Sequence, residues 1–268
     1  MSTLYSEDKT SSGLTAAEQR RLRQFHRPTQ VSLEVLGTSR TSLRGKSVLD
    51  LGCGSNMALC THVQAQGATY YGLDRNIAFL KTQQEVGVQT VCCGDVTTLL
   101  PFGDKSIDIV HMRLVLMHLT PRTRMRAVRE AVRIARERVV FIEPDWEVVD
   151  GGIPAVTAFK DMVVNVFMPH MGIHPYMGRD LLSLTCTSVT EFERCQWNSV
   201  HAKRFSTPPG NYYDSFTSAV ETMYLSLDEK ERFRLAKIGL DLKAESVKEH
   251  PTPFMQPDFI SVEIRKVA

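Results

Sequence analysis

Val48-Leu49-Asp50-Leu51-Gly52-Cys53-Gly54-Ser55-Asn56 sets the reading of the rest of the chain. Its first residues form a short apolar strand interrupted by Asp50. Glycines at 52 and 54 allow backbone angles closed to other residues and let a ligand approach the main chain. Apolar residues before the glycines and a mixed sequence after them predict a strand, a tight turn and a helix start. A Gly-x-Gly after a strand is shared by many nucleotide-binding folds, and an ordinary tight turn satisfies it as well.

One strand–helix unit downstream, Tyr70-Tyr71-Gly72-Leu73 predicts a second strand ending at Asp74. An acid in that place grips ribose hydroxyls in Rossmann-like sites, although Asp74 could also cap the helix that follows. The third glycine of a dinucleotide fingerprint is missing, which disfavours a nicotinamide-dependent enzyme. Asp50-Leu51-Gly52-Cys53-Gly54 followed by Gly72-Leu73-Asp74 resembles the class I S-adenosylmethionine-dependent methyltransferases. The resemblance is good from about Gly45 to Trp146 and loose elsewhere. Phe102 to Leu119 resembles the fourth-strand segment of a small-molecule branch related to ubiquinone and menaquinone methyltransferases. Glu143-Pro144-Asp145-Trp146 is similar to segments of bacterial methyltransferases, several of which act on secondary metabolites.

The size and composition suit such a protein. The 268 residues are 43% hydrophobic and 23% charged, and no apolar run approaches membrane-spanning length. A formal charge of +2 is too small to point to nucleic acid, and the cluster Arg20, Arg21, Arg23 reads equally well as a solvated helix face. Six cysteines (Cys53, Cys60, Cys92, Cys93, Cys186 and Cys195) lack metal-ligand spacing and read as buried thiols of a cytoplasmic protein. The polar first ten residues do not resemble a signal peptide.

Strands are predicted at Ser47–Leu51, Tyr70–Leu73, Val88–Cys93, Ile107–His111 and Val139–Ile142, with helices at Met57–Gln66, Ile77–Val86 and Arg122–Ala135. Later elements are helices over Val156–Phe167, Gly178–Thr185, Tyr212–Leu225 and Asp228–Lys248, and strands over Glu191–Gln196 and Phe259–Val267. The expected fold is α/β: a Rossmann-like, mostly parallel seven-stranded sheet with helices on both faces. Residues 1–40 read as an N-terminal helical lid, split near Pro28, and 41–268 as a methyltransferase domain with helical cap insertions at about 146–180 and 205–250.

The resemblance implies S-adenosyl-L-methionine as cofactor, S-adenosyl-L-homocysteine as product, and no metal. It assigns cofactor contacts to Asp50, Gly52, Cys53, Gly54, Asp74, Arg75, Asp95, Val96, His111 and Met112, with Tyr5 packing over the site from the lid. Asp50 reads either as an acid bonded by the glycine turn or as a partner of the methionine amino group. Asp95 would accept from the adenine amine, beside an apolar wall of Leu99, Pro101 and Phe102. Arg75 would stack on adenine or neutralise surface charge. A hydroxyl acceptor would need a base, for which His111, His170 and His174 are the candidates, while Asp145 could orient the nucleophile or be structural. Trp146, Phe167, Met171, Tyr176 and Tyr213 are candidates for an apolar acceptor pocket, though a Met-rich junction filling irregular space fits the middle of that set too.

No Pro-Pro-Tyr or Pro-Pro-Phe follows strand four, where His111-Met112-Arg113-Leu114 stands instead, which disfavours methylation of adenine, cytosine or glutamine amides. The expectation is an enzyme transferring a methyl group to a small, largely apolar metabolite, aromatic or polyketide-, terpenoid- or alkaloid-like. The alternatives are a protein or RNA methyltransferase and a non-catalytic cofactor-binding protein. Neither nucleic acid nor membrane insertion is expected, and the N-terminal segment could exchange between subunits of a homo-oligomer.

Overall fold

The computed structural model describes residues 26–37, 42–55, 57–85, 87–147, 153–189, 195–203, 206–207, 224, 227–246, 248, 254–255 and 258–267. The expectations for Tyr5, Thr15, Tyr213 and the Tyr212–Leu225 helix lie outside them. The chain divides into two compact units. One comprises His26–Pro144, Tyr176–Lys203 and Phe259–Ala268, and the other Met1–Phe25, Asp145–Pro175 and Arg204–Asp258.

The first unit is built on a seven-stranded sheet whose strands are β1 (Ser47–Leu51), β2 (Thr69–Asp74), β3 (Val91–Cys93), β4 (Ile107–Arg113), β5 (Ala135–Asp145), β6 (Cys195–Lys203) and β7 (Asp258–Lys266). Their order across the sheet is β3-β2-β1-β4-β5-β7-β6, and the mostly parallel, seven-stranded Rossmann-like class is as expected. Strands β1 to β5 pair in parallel, and β6 runs antiparallel to β7. Parallel strands covered on both faces carry near-continuous apolar runs; Val48, Leu49, Leu51, Val110, Met112, Phe141 and Ile142 are all fully buried.

Helices α1 (His26–Gly37), α2 (Ala58–Ala65), α3 (Ile77–Glu85), α4 (Pro121–Ile134) and α6 (Met177–Val189) flank the sheet; α1 packs on α2, and α4 on α6. α4 shows how directly sequence dictates these elements. Thr120 caps it with Pro121 at the first turn, Ala127, Val128, Ala131, Val132 and Ile134 are buried, and Arg122, Arg126 and Arg129 stay exposed. Its Arg133 bonds Glu130, Asp104 and the Phe102 carbonyl, tying the helix to the loop before β4. A buried ion pair, Arg138 to Glu263 at 3.1 Å, joins β5 to β7.

Several boundaries differ from expectation. β3 covers only Val91–Cys93, whereas β5 is extended to Ala135–Asp145. α6 continues to Val189, and β6 begins at Cys195, near the expected end of that strand. Pro28 lies in the first turn of α1, where its missing N–H costs nothing; the segment that the expected split near Pro28 would set apart, before residue 26, lies outside the described residues. The thiols are not uniformly buried: Cys53 and Cys60 are, whereas Cys92 and Cys93 are exposed on the edge strand β3. Leu99, expected in an apolar wall, is 71% exposed.

In the second unit, α5 (Pro154–Met162) continues through a π-helical turn, Val163–Phe167, into Met168–His170. It packs on α7 (Glu229–Ser246), and Val156, Phe159 and Met162 are buried along with Leu235, Ile238 and Leu242. A two-residue ladder joins Ser206–Thr207 to Phe254–Met255. No helix among the described residues is long and apolar enough to cross a membrane.

Candidate functional site

The carboxyl ends of β1, β2 and β4 meet at the glycine turn, the place where open α/β sheets bind ligands. Gly52 and Gly54 both take left-handed angles, with φ of +75° and +58°. The Gly52 and Cys53 amides donate to the Leu73 carbonyl at 2.7 and 3.1 Å, and the Gly54 amide donates to Asp74 Oδ2 at 2.8 Å. From below, Gln83 Nε2 donates to the Gly54 carbonyl at 2.5 Å. A Cβ on Gly52 would collide with the Val115 side chain, while beside Gly54 the space is open. The turn therefore exposes main chain rather than side chains.

Asp74 closes β2. Its Oδ1 accepts the Asn76 amide at 2.8 Å, so each oxygen holds one backbone N–H and keeps spare lone pairs for hydroxyl donors. Burial raises its pKa, opposed by those two amide bonds. Beyond β3, Asp95 Oδ1 accepts the Thr97 amide at 2.8 Å, and Val96 is buried. Arg75 is exposed, and its carbonyl accepts from Cys93 Sγ at 3.8 Å. Cys53 is buried, and burial, with Asp50 and Asp74 nearby, pushes its thiol far above the usual range. That thiol is inert.

Asp50 does not bond to the glycine turn, contrary to the first of its two expected roles. Its Oδ2 accepts from the Tyr70 hydroxyl at 3.2 Å, and its Oδ1 lies 2.8 Å from His111 Nδ1. His111 Nε2 is in turn 3.0 Å from Ser32 Oγ on α1. Gly72, paired with Asp50 across the strands, leaves room for Tyr70: a Cβ there would stand 3.2 Å from the phenol oxygen. His111 is fully buried with both ring nitrogens engaged. A base for an acceptor must reach the proton it removes, so this geometry fits a positioning role and not the expected base. Met112 points to the other face and is fully buried in the core.

After Arg113 the chain turns sharply at Leu114, a non-glycine residue with φ of 57°. Such angles are costly for bulky side chains and gather at functional sites. The turn sends the Val115 and Leu116 amides to Glu143 Oε1 at 2.9 and 2.7 Å. Glu143 is fully buried, and burial pushes its carboxyl up to about 8 against the pull of the backbone amides, mainly those of Leu116 and Val115.

Sequence reasoning missed Gln83, Tyr70, Ser32, Leu114 and the clamp made by Glu143. Gln83 had a usable signal, since it stands three residues after the buried Leu80 on the inner face of α3.

The remaining candidates belong to the second unit, except Tyr176. Asp145 is buried and its Oδ1 accepts the Glu147 amide at 3.0 Å. The Trp146 amide donates to the Pro175 carbonyl at 3.1 Å. Phe167 ends the π-helical turn half-buried, as are Met171 and His174, whereas His170 is exposed. Tyr176, in the first unit, carries the Arg179 guanidinium 4.7 Å over its ring. Among the described residues no group of three or more His, Cys, Asp or Glu could hold a metal ion.

Residues 49–142 match the family model of a methyltransferase domain. A stretch of 117 residues is 30% identical to an uncharacterized methyltransferase of Synechocystis, covering 44% of this chain and 51% of that one. The chain spans 31% and 51% of the length of the first curated relatives it matches. Among solved structures, it is similar to a methyltransferase assigned to an antibiotic biosynthesis pathway in Anabaena variabilis, with a TM-score of 0.60 at 16% identity over 87% of this chain and 96% of that one. It is also similar to the [4+2]-cyclase SpnF, with a TM-score of 0.51 at 15% identity over 88% of this chain and 80% of that one. The fold is that of the class I S-adenosylmethionine-dependent methyltransferases.

Proposed function

We propose that this protein transfers the methyl group of S-adenosyl-L-methionine to a small, largely apolar metabolite. The observation carrying the proposal is the glycine turn: two left-handed glycines, one bordering open space, latched to the acid that ends β2. The residues present fit that cofactor. Gly52 and Gly54 would pass under its amino-acid part, Asp74 would receive the ribose hydroxyls with its spare lone pairs, and Asp95 and Val96 would face the adenine.

When bound, the cofactor supplies a methyl group already activated on a sulfonium. What this chain must add is alignment and exclusion of water, which can account for much of the acceleration in such displacements. The glycine turn, the Leu114 bend and the Glu143 clamp fix the backbone around the strand ends. His111 holds Asp50 in place. For a hydroxyl acceptor, His170 and His174 are the proposed bases, on the chemistry of imidazole alone. The fourth-strand segment Phe102–Leu119 and the likeness to the Anabaena protein support a small metabolite as acceptor, and Trp146, Phe167, Met171, Tyr176 and Tyr213 are proposed to line its pocket.

Calorimetric titration with S-adenosyl-L-homocysteine tests the cofactor reading, with saturable micromolar binding expected. A folded sample that binds none would end it. Incubation of S-adenosyl-L-methionine with panels of aromatic, polyketide, terpenoid and alkaloid metabolites, read as the gain of one methyl group by mass, tests the acceptor class. Transfer confined to a peptide or RNA substrate would overturn that part.

A further inference from the structure

α7 is apolar on two faces. The inner face, with Leu235, Ile238 and Leu242, is buried where the helix packs on α5. On the far side Phe233 and Leu240 stand 77% and 71% exposed. With Ala236 and Ala244, which are also exposed, they fall at i, i+3, i+7 and i+11, in one line along the helix. A surface helix with one buried stripe ordinarily turns polar residues outward. A single exposed leucine is common, but an aromatic and a leucine aligned on the solvent side mark a face that meets something.

Lysines border this line. Lys230 stands three residues before Phe233, Lys237 four after it, and Lys243 three after Leu240, and all three are exposed. At that spacing each ammonium neighbours one of the two large side chains. Glu229 lies at the start of the line, and Asp241 stands to one side. The exposed cations of the helix are Lys230, Arg234, Lys237 and Lys243, against the exposed acids Glu229 and Asp241. A lysine lays its methylene stem along apolar surface while its ammonium reaches outward, so the stripe and its cations suit one partner together.

That partner must offer apolar material flanked by negative charge. A second copy laid stripe to stripe would bring basic flank against basic flank. An anionic lipid surface has the matching order, with phosphates level with the ammoniums and acyl chains level with Phe233 and Leu240. No helix among the described residues is long and apolar enough to cross a membrane, so α7 would lie in the plane of the interface.

We propose that the outer face of α7 docks the protein on an anionic lipid surface. Phe233 and Leu240 enter the boundary between headgroups and acyl chains, and Lys230, Lys237 and Lys243 meet the phosphates. This inference goes beyond the proposed methyl transfer and does not rest on it.

Cosedimentation of the full chain with vesicles tests it. Vesicles of phosphatidylglycerol and phosphatidylcholine in equal parts should bind wild type on the order of 100-fold more tightly than phosphatidylcholine alone, and added salt should erode the difference. Phe233→Ser/Leu240→Ser changes only exposed positions and should weaken binding to the mixed vesicles at least about 10-fold. Lys230→Gln/Lys237→Gln should weaken it on the order of 10-fold, and this variant decides the matter if the first does not fold. Equal binding to both kinds of vesicle, binding to neither, or mixed-vesicle binding unchanged in either double variant overturns the proposal. A concentration-dependent dimer of wild type that Phe233→Ser/Leu240→Ser abolishes, without vesicle binding, overturns it too and gives the face to a second copy of the chain.

Discussion

The two ends of the proposed cofactor site are held by different means. At the nucleoside end, Asp74 and Asp95 are fixed by backbone amides: Gly54 and Asn76 for the first, Thr97 for the second. At the methionine end, Asp50 is fixed by the side chains of Tyr70 and His111, and His111 by Ser32 on α1. A main-chain donor is present whatever residue occupies its position, proline excepted, so the nucleoside end depends on turn geometry and glycines. A side-chain network depends on the identity of every member, and its loss leaves buried polar groups unpaired. The nucleoside end should therefore fail locally, in ligand affinity, and the methionine end should fail cooperatively, in affinity and stability together.

The largest effect expected is on the nucleoside end. Asp74→Ala removes the acceptor for Gly54 and the proposed ribose contact in one step, and should weaken S-adenosyl-L-homocysteine binding about 100- to 1,000-fold. The thermal midpoint should fall only modestly, because the freed amides sit in a turn. A variant that unfolds before it loses affinity would break the contrast.

Next comes the pH dependence of Glu143. Its folded pKa, near 8, lies above that of an ordinary glutamate, so between the two the folded state holds the extra proton. The stability this contributes is fully present below the unfolded pKa and is lost as pH rises toward the folded value. Between pH 6 and 8, wild type should lose about 2 kcal/mol relative to Glu143→Gln, whose amide does not titrate. Denaturant midpoints of both proteins across that window check it. Parallel curves would mean that Glu143 is ionised at neutral pH.

The same contrast explains what could be read from the sequence. Asp74, Asp95 and the glycines were legible because their partners are close in the chain or are backbone groups whose position follows from a strand and a turn. The mostly parallel sheet was legible for a like reason, since strand–helix alternation places strands side by side in parallel, whereas the order of the strands was not read from the sequence. The side-chain network around Asp50 was not legible. Tyr70 reaches Asp50 across 20 residues, Asp50 meets His111 across 61, and His111 meets Ser32 across 79. A histidine on an apolar strand near a ligand site suggests a base until its partners are known, and nothing local to His111 announces Ser32. Leu114 is a parallel case: a leucine carries no mark of a left-handed turn, and the Glu143 carboxylate that holds the Leu116 amide just after it lies 27 residues beyond Leu116.

A smaller effect is expected from His111→Leu, which keeps the apolar strand but takes a buried partner from Asp50. It should destabilise the fold by about 1–3 kcal/mol and weaken S-adenosyl-L-homocysteine binding less than Asp74→Ala does. Loss of affinity with no loss of stability would place His111 against the ligand instead of behind Asp50.

The smallest effect, and the most discriminating, belongs to Ser32. Its hydroxyl lies 3.0 Å from His111 Nε2, with the imidazole between it and Asp50. Ser32→Ala alone should cost about 1 kcal/mol of stability, the usual net worth of one such bond, and change ligand affinity little. Members of one network are not additive. In a His111→Leu background the same Ser32→Ala change should cost clearly less, because the imidazole that the hydroxyl met is gone. Urea unfolding of the four proteins in this cycle measures the coupling. An equal cost in both backgrounds would make Ser32 and His111 independent neighbours, and the methionine end would then be a set of separate contacts, with α1 having no part in holding Asp50.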